Sequence, residues 1–191
     1  MKQIFRVKLN DAKDCFLRVP HNLCKEDEFA KMVYGTASTA YFSVMPELTI
    51  DSDNLNATVS LNSCYARQLG ISQDELVTVN FLKCLPTIQS VYGSHKSEDL
   101  DALELSRSSL EEKILQQIKV VWPEQSFPVW LGKRFNFIIK IESLSPPCSV
   151  GILCPGTELD LRPRLDTLSV KPKGFQQKNY LDSKASAEPE D

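Results

Sequence analysis

From Phe5 onward the chain sorts its apolar residues with a period of two. Phe5, Val7 and Leu9 alternate with Arg6, Lys8 and Asn10, and after the turn-prone run Asn10 to Asp14 the alternation resumes at Cys15, Leu17 and Val19. Such a period puts successive side chains on opposite faces of a strand, so residues 4–20 predict two strands joined as a hairpin. Glu26 to Tyr34, closed by Gly35, reads as a short helix, Tyr41 to Val44 as a strand, and Asp51 to Asn54 as a polar loop. Val59 and Leu61 end a further strand. Asn62 then supplies the side-chain acceptor a helix start needs, and Gly70 the tolerance of positive φ its end needs, which predicts a helix through Leu69. Val77, Val79 and Phe81 alternate with Thr78 and Asn80, a strand over Leu76 to Leu82 with one face buried, and Pro86 closes the region.

Small, polar and charged residues from Tyr92 to Ser97 interrupt this pattern and mark a boundary between two units. A strand around Leu100 to Leu105 is expected next. Ser108 and Glu111 have the spacing of a capping box, and Leu110, Ile114, Ile118, Val121 and Trp122 follow at helical spacing opposite Glu112, Lys113, Gln116 and Lys119. Pro123 stops that helix. Phe127, Val129 and Leu131, then Phe135, Phe137, Ile139 and Ile141, predict two strands about a Gly132-Lys133-Arg134 turn, and Thr157, Leu159 and Leu161 a last one. Beyond about Leu165 the periodicity fades into a tail rich in Lys, Ser, Pro and Gly, read as a linker or disordered segment. The expected organisation is a mixed α/β, β-rich chain with units over 1–95 and 98–165 and a tail over 166–191.

Composition narrows the functions rather than the fold. A length of 191 residues with 42% hydrophobic and 25% charged positions is ordinary for a globular protein. The net charge of −3 removes any expectation of nucleic-acid binding, which demands a concentrated basic surface. Six scattered cysteines without a Cys-x-x-Cys pair, and two distant histidines, give no metal site. The first residues, MKQIFRVKLN, do not make a signal peptide, and no apolar run approaches the roughly 20 residues needed to span a bilayer, so a soluble chain with reduced thiols is expected and the Asn56 sequon is read as accidental. There is no Gly-x-x-x-x-Gly-Lys-Ser/Thr loop and no Gly-x-Gly-x-x-Gly, so no nucleotide or other cofactor and no catalytic residue is assigned.

Four weaker features carry competing readings. Cys24 near His21 supports a thiol hydrolase only if the two meet in space. Glu98, Asp99 and Asp101 read as a solvated helix start rather than a carboxylate cluster. Trp122 and Trp130 suit either a core or a peptide groove. Lys133, Arg134, Arg162 and Arg164, with Lys171 and Lys173, are either separate solvated charges or one site for a phosphoinositide head group, where each charge near an anionic membrane contributes on the order of 1 kcal/mol.

Three segments, DAKDCFLRVP from Asp11, LNSCYARQLGISQDELVTVNFLKC from Leu61 and SSLEEKILQQIKVVWPEQSFPVWL from Ser108, resemble the N-terminal domains of the peroxin-1 family of AAA-type ATPases, over roughly residues 4–165. The third segment is the most specific. In the second, where related barrels often carry a glycine after the helix, this chain has Gln73-Asp74-Glu75. The resemblance implies a double-psi β-barrel followed by a smaller α/β barrel-like unit, with a groove between them that receives a protein adaptor or substrate. It also implies phosphoinositide binding, for which Lys133, Arg134, Arg162 and Arg164 are the candidates, and peripheral recruitment from the cytoplasm to the peroxisome membrane during receptor recycling. The ATPase modules and the contacts with the peroxin-6 ATPase are expected beyond this chain. The alternative is a stand-alone membrane-surface lipid-binding domain.

Overall fold

The computed structural model describes residues 2–24, 29–48, 57–132 and 135–164. Six strands close a barrel: β1 (Lys2–Asn10), β2 (Leu17–Pro20), β3 (Phe29–Tyr34), β4 (Ser38–Glu47), β5 (Thr58–Asn62) and β6 (Leu76–Leu82), in the spatial order β1-β5-β2-β4-β3-β6. β1 runs parallel to β5 and β2 parallel to β4, while β5 and β2 meet antiparallel. This is the interlocked arrangement of a double-psi barrel. One face of each strand fills the interior: Phe5 and Val7, Leu17 and Val19, Ala30 and Met32, Ala40 and Phe42, Val59 and Leu61, Val77 and Val79 are all buried.

Two expectations fail here for the same reason. β1 and β2 do not form a hairpin, because β5 is inserted between them and offers each a partner. Residues 29–34 form strand β3, not a helix: Ala30, Met32 and Tyr34 face the core in alternation and the strand pairs on both sides, with β4 and β6. Ladder pairing and period-two burial outweigh local helix propensity. Asp51 to Asn54 and the first residues of that expected helix lie outside the described residues.

The expected helix α1 (Ser63–Leu69) is present. Asn62 Oδ1 accepts from the Tyr65 amide and Gly70 closes the helix at φ 76°. In the turn that follows, Asp74 occupies the left-handed region at φ 63°, held by its amide donating to Val7 O and its carbonyl accepting from Arg6 Nη1. Aspartate is among the few residues that tolerate this region, so the turn needs no glycine.

The second unit is a four-stranded sheet with a helix and a small two-stranded ribbon. β7 (Ser90–His95) begins it, followed by a one-turn 3-10 helix over Ser97–Asp99, α2 (Leu100–Gln117), β8 (Val120–Val121), β9 (Ser126–Trp130), β10 (Asn136–Ser145), β11 (Gly151–Ile152) and β12 (Glu158–Pro163). The sheet order is β12-β7-β10-β9, and β8 pairs with β11. β9 and β10 are the expected antiparallel neighbours. β7, which the sequence boundary assigns to the first unit, sits inside the second sheet between β12 and β10. Residues 100–105 are helical rather than a strand, and Ser108 lies within α2 instead of capping it. The helix also ends before Pro123. Ile118 is already extended, because the Gln117 side chain leaves the helix to bond both the amide and the carbonyl of Trp130.

Candidate protein-binding seam

The two units meet across a seam built from the β1–β2 loop and α1 on the barrel side. Within the loop, Asn10 Oδ1 accepts from the Ala12 amide, Asp14 Oδ1 accepts from the Phe16 amide, and Asp14 pairs with Arg18 at 2.6 Å. The stiffened loop presents its backbone to the other unit: the Cys15 amide donates to Gln117 O at 2.7 Å, and Lys13 Nζ to Gly132 O at 3.1 Å. Asn62 Nδ2 donates to Ala12 O, so the residue that caps α1 also holds the loop.

Behind the loop, Tyr65 and Gln125 join the units through a buried side-chain hydrogen bond, Gln125 Nε2 to Tyr65 Oη at 2.7 Å. Gln125 Oε1 accepts from the Trp122 amide, and Gln125 O from the Ile141 amide. Both side chains are almost fully enclosed. Burial pushes the Tyr65 phenol well above its ordinary pKa, reinforced by Cys15 and opposed by the bond from Gln125. Burial likewise pushes up the Cys15 thiol, with Asp14 and Cys64 adding to it. A thiol held neutral is a poor nucleophile, and Cys15 instead donates to Pro128 O.

The seam also has an aromatic rim that reaches solvent. There Tyr41 of β4 meets Trp122 edge-on, with ring centroids 5.8 Å apart, and Lys31 Nζ stands 5.7 Å from the Tyr41 ring centroid. Half-buried aromatics beside a cation offer apolar area and a polar handle to a partner at low entropic cost. Of the two tryptophans that suited either a core or a groove, Trp122 lies on the rim and Trp130 in the core.

The basic residues chosen from the sequence are arranged differently. Arg162 forms a two-point pair with Asp160 on the exposed face of β12, and Arg164, also exposed, follows two residues on with its amide bonded to His95 O. Asp160 offsets the Arg162 charge. Lys133, Arg134, Lys171 and Lys173 lie outside the described residues. A second basic surface was not singled out in the sequence. Lys2 on β1 and Lys31 on β3 both sit opposite Asn80 of β6, around a hollow of about 300 Å³, beside exposed Ile4, Val33 and Leu76. The available signal was the apolar Ile4 and Leu76 on the faces that alternation assigns to solvent.

No three His, Cys, Asp or Glu side chains among the described residues converge on a metal position. The Cys24 thiol donates to the carbonyls of Val19 and Pro20. Glu98 forms an exposed pair with Lys96, as a solvated helix start would. No helix among the described residues is long and apolar enough to cross a membrane.

Residues 94–163, which carry most of the second unit, match the family model for the N-terminal domain of peroxisome biogenesis factor 1. This segment belongs to the peroxisome biogenesis factor 1 N-terminal family. The similarity extends to the barrel as well. Over 83% of its length the chain is 30% identical to human peroxisomal ATPase PEX1, and over 84% it is 28% identical to the same protein of Cricetulus griseus. It spans 13% of the length of each of these relatives. The chain that carries this similarity is a double-psi barrel joined to a small α/β unit through a buried polar seam.

Proposed function

We propose that this peroxin-1-type N-domain is a noncatalytic recruitment module of a peroxisomal AAA ATPase, receiving an adaptor or substrate protein for the ATPase ring during peroxisome biogenesis and recycling of matrix-protein receptors. The barrel unit is taken as residues 2–85 and the α/β unit as 86–164. Contacts with the partner ATPase peroxin-6 belong to other parts of the assembly, and the module works from the cytoplasmic side of the peroxisome membrane. The match of residues 94–163 to the N-terminal family carries this reading, and the Tyr41–Trp122 rim with Lys31 supplies the docking surface. Affinity capture from a peroxisome-containing extract is expected to enrich peroxisomal factors on the wild-type chain and to lose them on a Tyr41→Ala/Trp122→Ala variant. Enrichment of no peroxisomal factor on the wild type overturns the reading.

A second reading, phosphoinositide binding, is supported by the hollow between Lys2 and Lys31, which exposed Val33 lines, with exposed Ile4 and Leu76 on the neighbouring strands β1 and β6. Cations around protruding apolar side chains suit an anionic membrane surface. Lys2→Glu/Lys31→Glu is expected to reduce pelleting with phosphoinositide liposomes at least fivefold, whereas Arg162→Glu, whose charge Asp160 already offsets, has a smaller effect. Equal pelleting of wild type and the double variant removes this site.

A further inference from the structure

We propose that the free edge of β12, together with the cleft between it and α2, takes an extended, basic segment of a partner protein as a fifth strand of the second sheet. β12 stands at the end of the order β12-β7-β10-β9, so among the described residues only β7 pairs with it. The pairing is parallel, and its ends are fixed by the Glu158 amide donating to Gln89 O at 2.8 Å and the Arg164 amide to His95 O at 2.6 Å. In a parallel ladder alternate residues bond the same neighbour, so the even-numbered residues face β7. Leu159, Leu161 and Pro163 therefore turn their backbone groups outward. Pro163 has no amide hydrogen, which limits the outward donors to Leu159 and Leu161 and leaves their carbonyls and that of Pro163 as acceptors.

A cleft of about 550 Å³ runs beside this edge. Leu103 and Leu110 of α2 face Leu159 and Leu161 of β12 across it, and Glu104, Glu111, Glu158 and Asp160 supply the charge among the described residues of its lining. Glu111 accepts from the Gly156 amide and Asp160 is paired with Arg162. Glu104 and Glu158, both exposed, remain as the carboxylates to be matched. Strand addition between a sheet edge and a helix draws affinity from main-chain hydrogen bonds and selectivity from the side chains at alternate positions. An occupant with apolar residues at one parity and lysine or arginine at the other satisfies both the leucine walls and the acidic lining. This surface is separate from the Tyr41–Trp122 rim and does not depend on it.

The test uses the full chain, isotope-labelled, titrated with an acetylated eight-residue peptide of alternating lysine and valine and with a block-ordered peptide of the same composition. The alternating peptide is expected to shift the amide resonances of Leu159 and Leu161 and slow their hydrogen exchange at least tenfold. It should bind at least fivefold more tightly than the block-ordered peptide. Glu104→Lys/Glu158→Lys, both at exposed positions, is expected to weaken binding at least tenfold while leaving the spectrum of the barrel unchanged, and Leu161→Pro to abolish the protection. Equal binding of the two peptides, shifts confined to other surfaces, or no change at Leu159 and Leu161 overturns the proposal. So does slow exchange of these two amides in the free chain, which assigns the edge to the chain's own continuation or to a second copy.

Discussion

Tyr65 carries more of this molecule's organisation than its place in a seven-residue helix suggests. Its ring packs edge-on against Phe42 in the barrel, 5.9 Å between centroids, while its hydroxyl accepts from Gln125 in the other unit. Tyr65→Phe keeps the ring and leaves Gln125 Nε2 with only its longer contact to Val120 O, at 3.4 Å. A buried donor that loses its partner costs about 1–3 kcal/mol, and that loss is the expected result of urea unfolding at neutral pH. The phenol and the Cys15 thiol also set an alkaline limit. Both folded-state pKa values are raised, so their contribution is complete below the unfolded values, near 8.5 for a thiol and 10 for a phenol, and declines as pH rises through the raised values. Stability is expected to fall above about pH 9, and less steeply above pH 10 in Tyr65→Phe than in the wild type. Parallel pH profiles for the two proteins exclude the phenol as a cause.

At the scale of elements, the second unit depends on β7, the strand that joins both halves of its sheet. Gly93 lies in β7 between its two partner strands, where a Cβ would lie 3.0 Å from Leu161 Cδ2 and 3.0 Å from Lys140 O. Gly93→Val is expected to destabilise the protein by about 1–3 kcal/mol through overpacking, measured by urea unfolding, and to raise hydrogen exchange along β12. The elements whose cues are local were legible in the sequence. α1 was readable because its cap and its glycine terminus lie within nine residues, and β6 because its alternation is uninterrupted. α2 was not, because its true start over Leu100 lacks a side-chain cap and Ser108 imitates one in mid-helix. β3 was misread because residues 29–34 take their conformation from β4 and β6, which sequence proximity does not reveal.

The molecule as a whole is coupled through polar groups withdrawn from water. Separating the units exposes the Tyr65–Gln125 bond, the Cys15–Gln117 bond and the apolar surface around them, so neither unit opens cheaply alone. Calorimetry is expected to show one unfolding transition for the chain, with matching calorimetric and van't Hoff enthalpies. Two resolved transitions exclude this coupling. Within the candidate site, Trp122 was legible as an aromatic of unassigned exposure, and it is the contact with Tyr41 that puts it on a rim while Trp130 goes to the core. Arg162 was legible as a charge but not as one already paired with Asp160. The sequence by itself determined the β-rich class, the α1 terminus signals, the β9–β10 pairing and the family resemblance, because periodicity, caps and motifs are properties of neighbouring residues. Only the tertiary structure decided that β5 separates β1 from β2, that β7 belongs to the second sheet, and which side chains line the seam, the rim and the open edge of β12. Those outcomes rest on pairings between residues tens of positions apart, whose free energy depends on what the rest of the chain brings alongside.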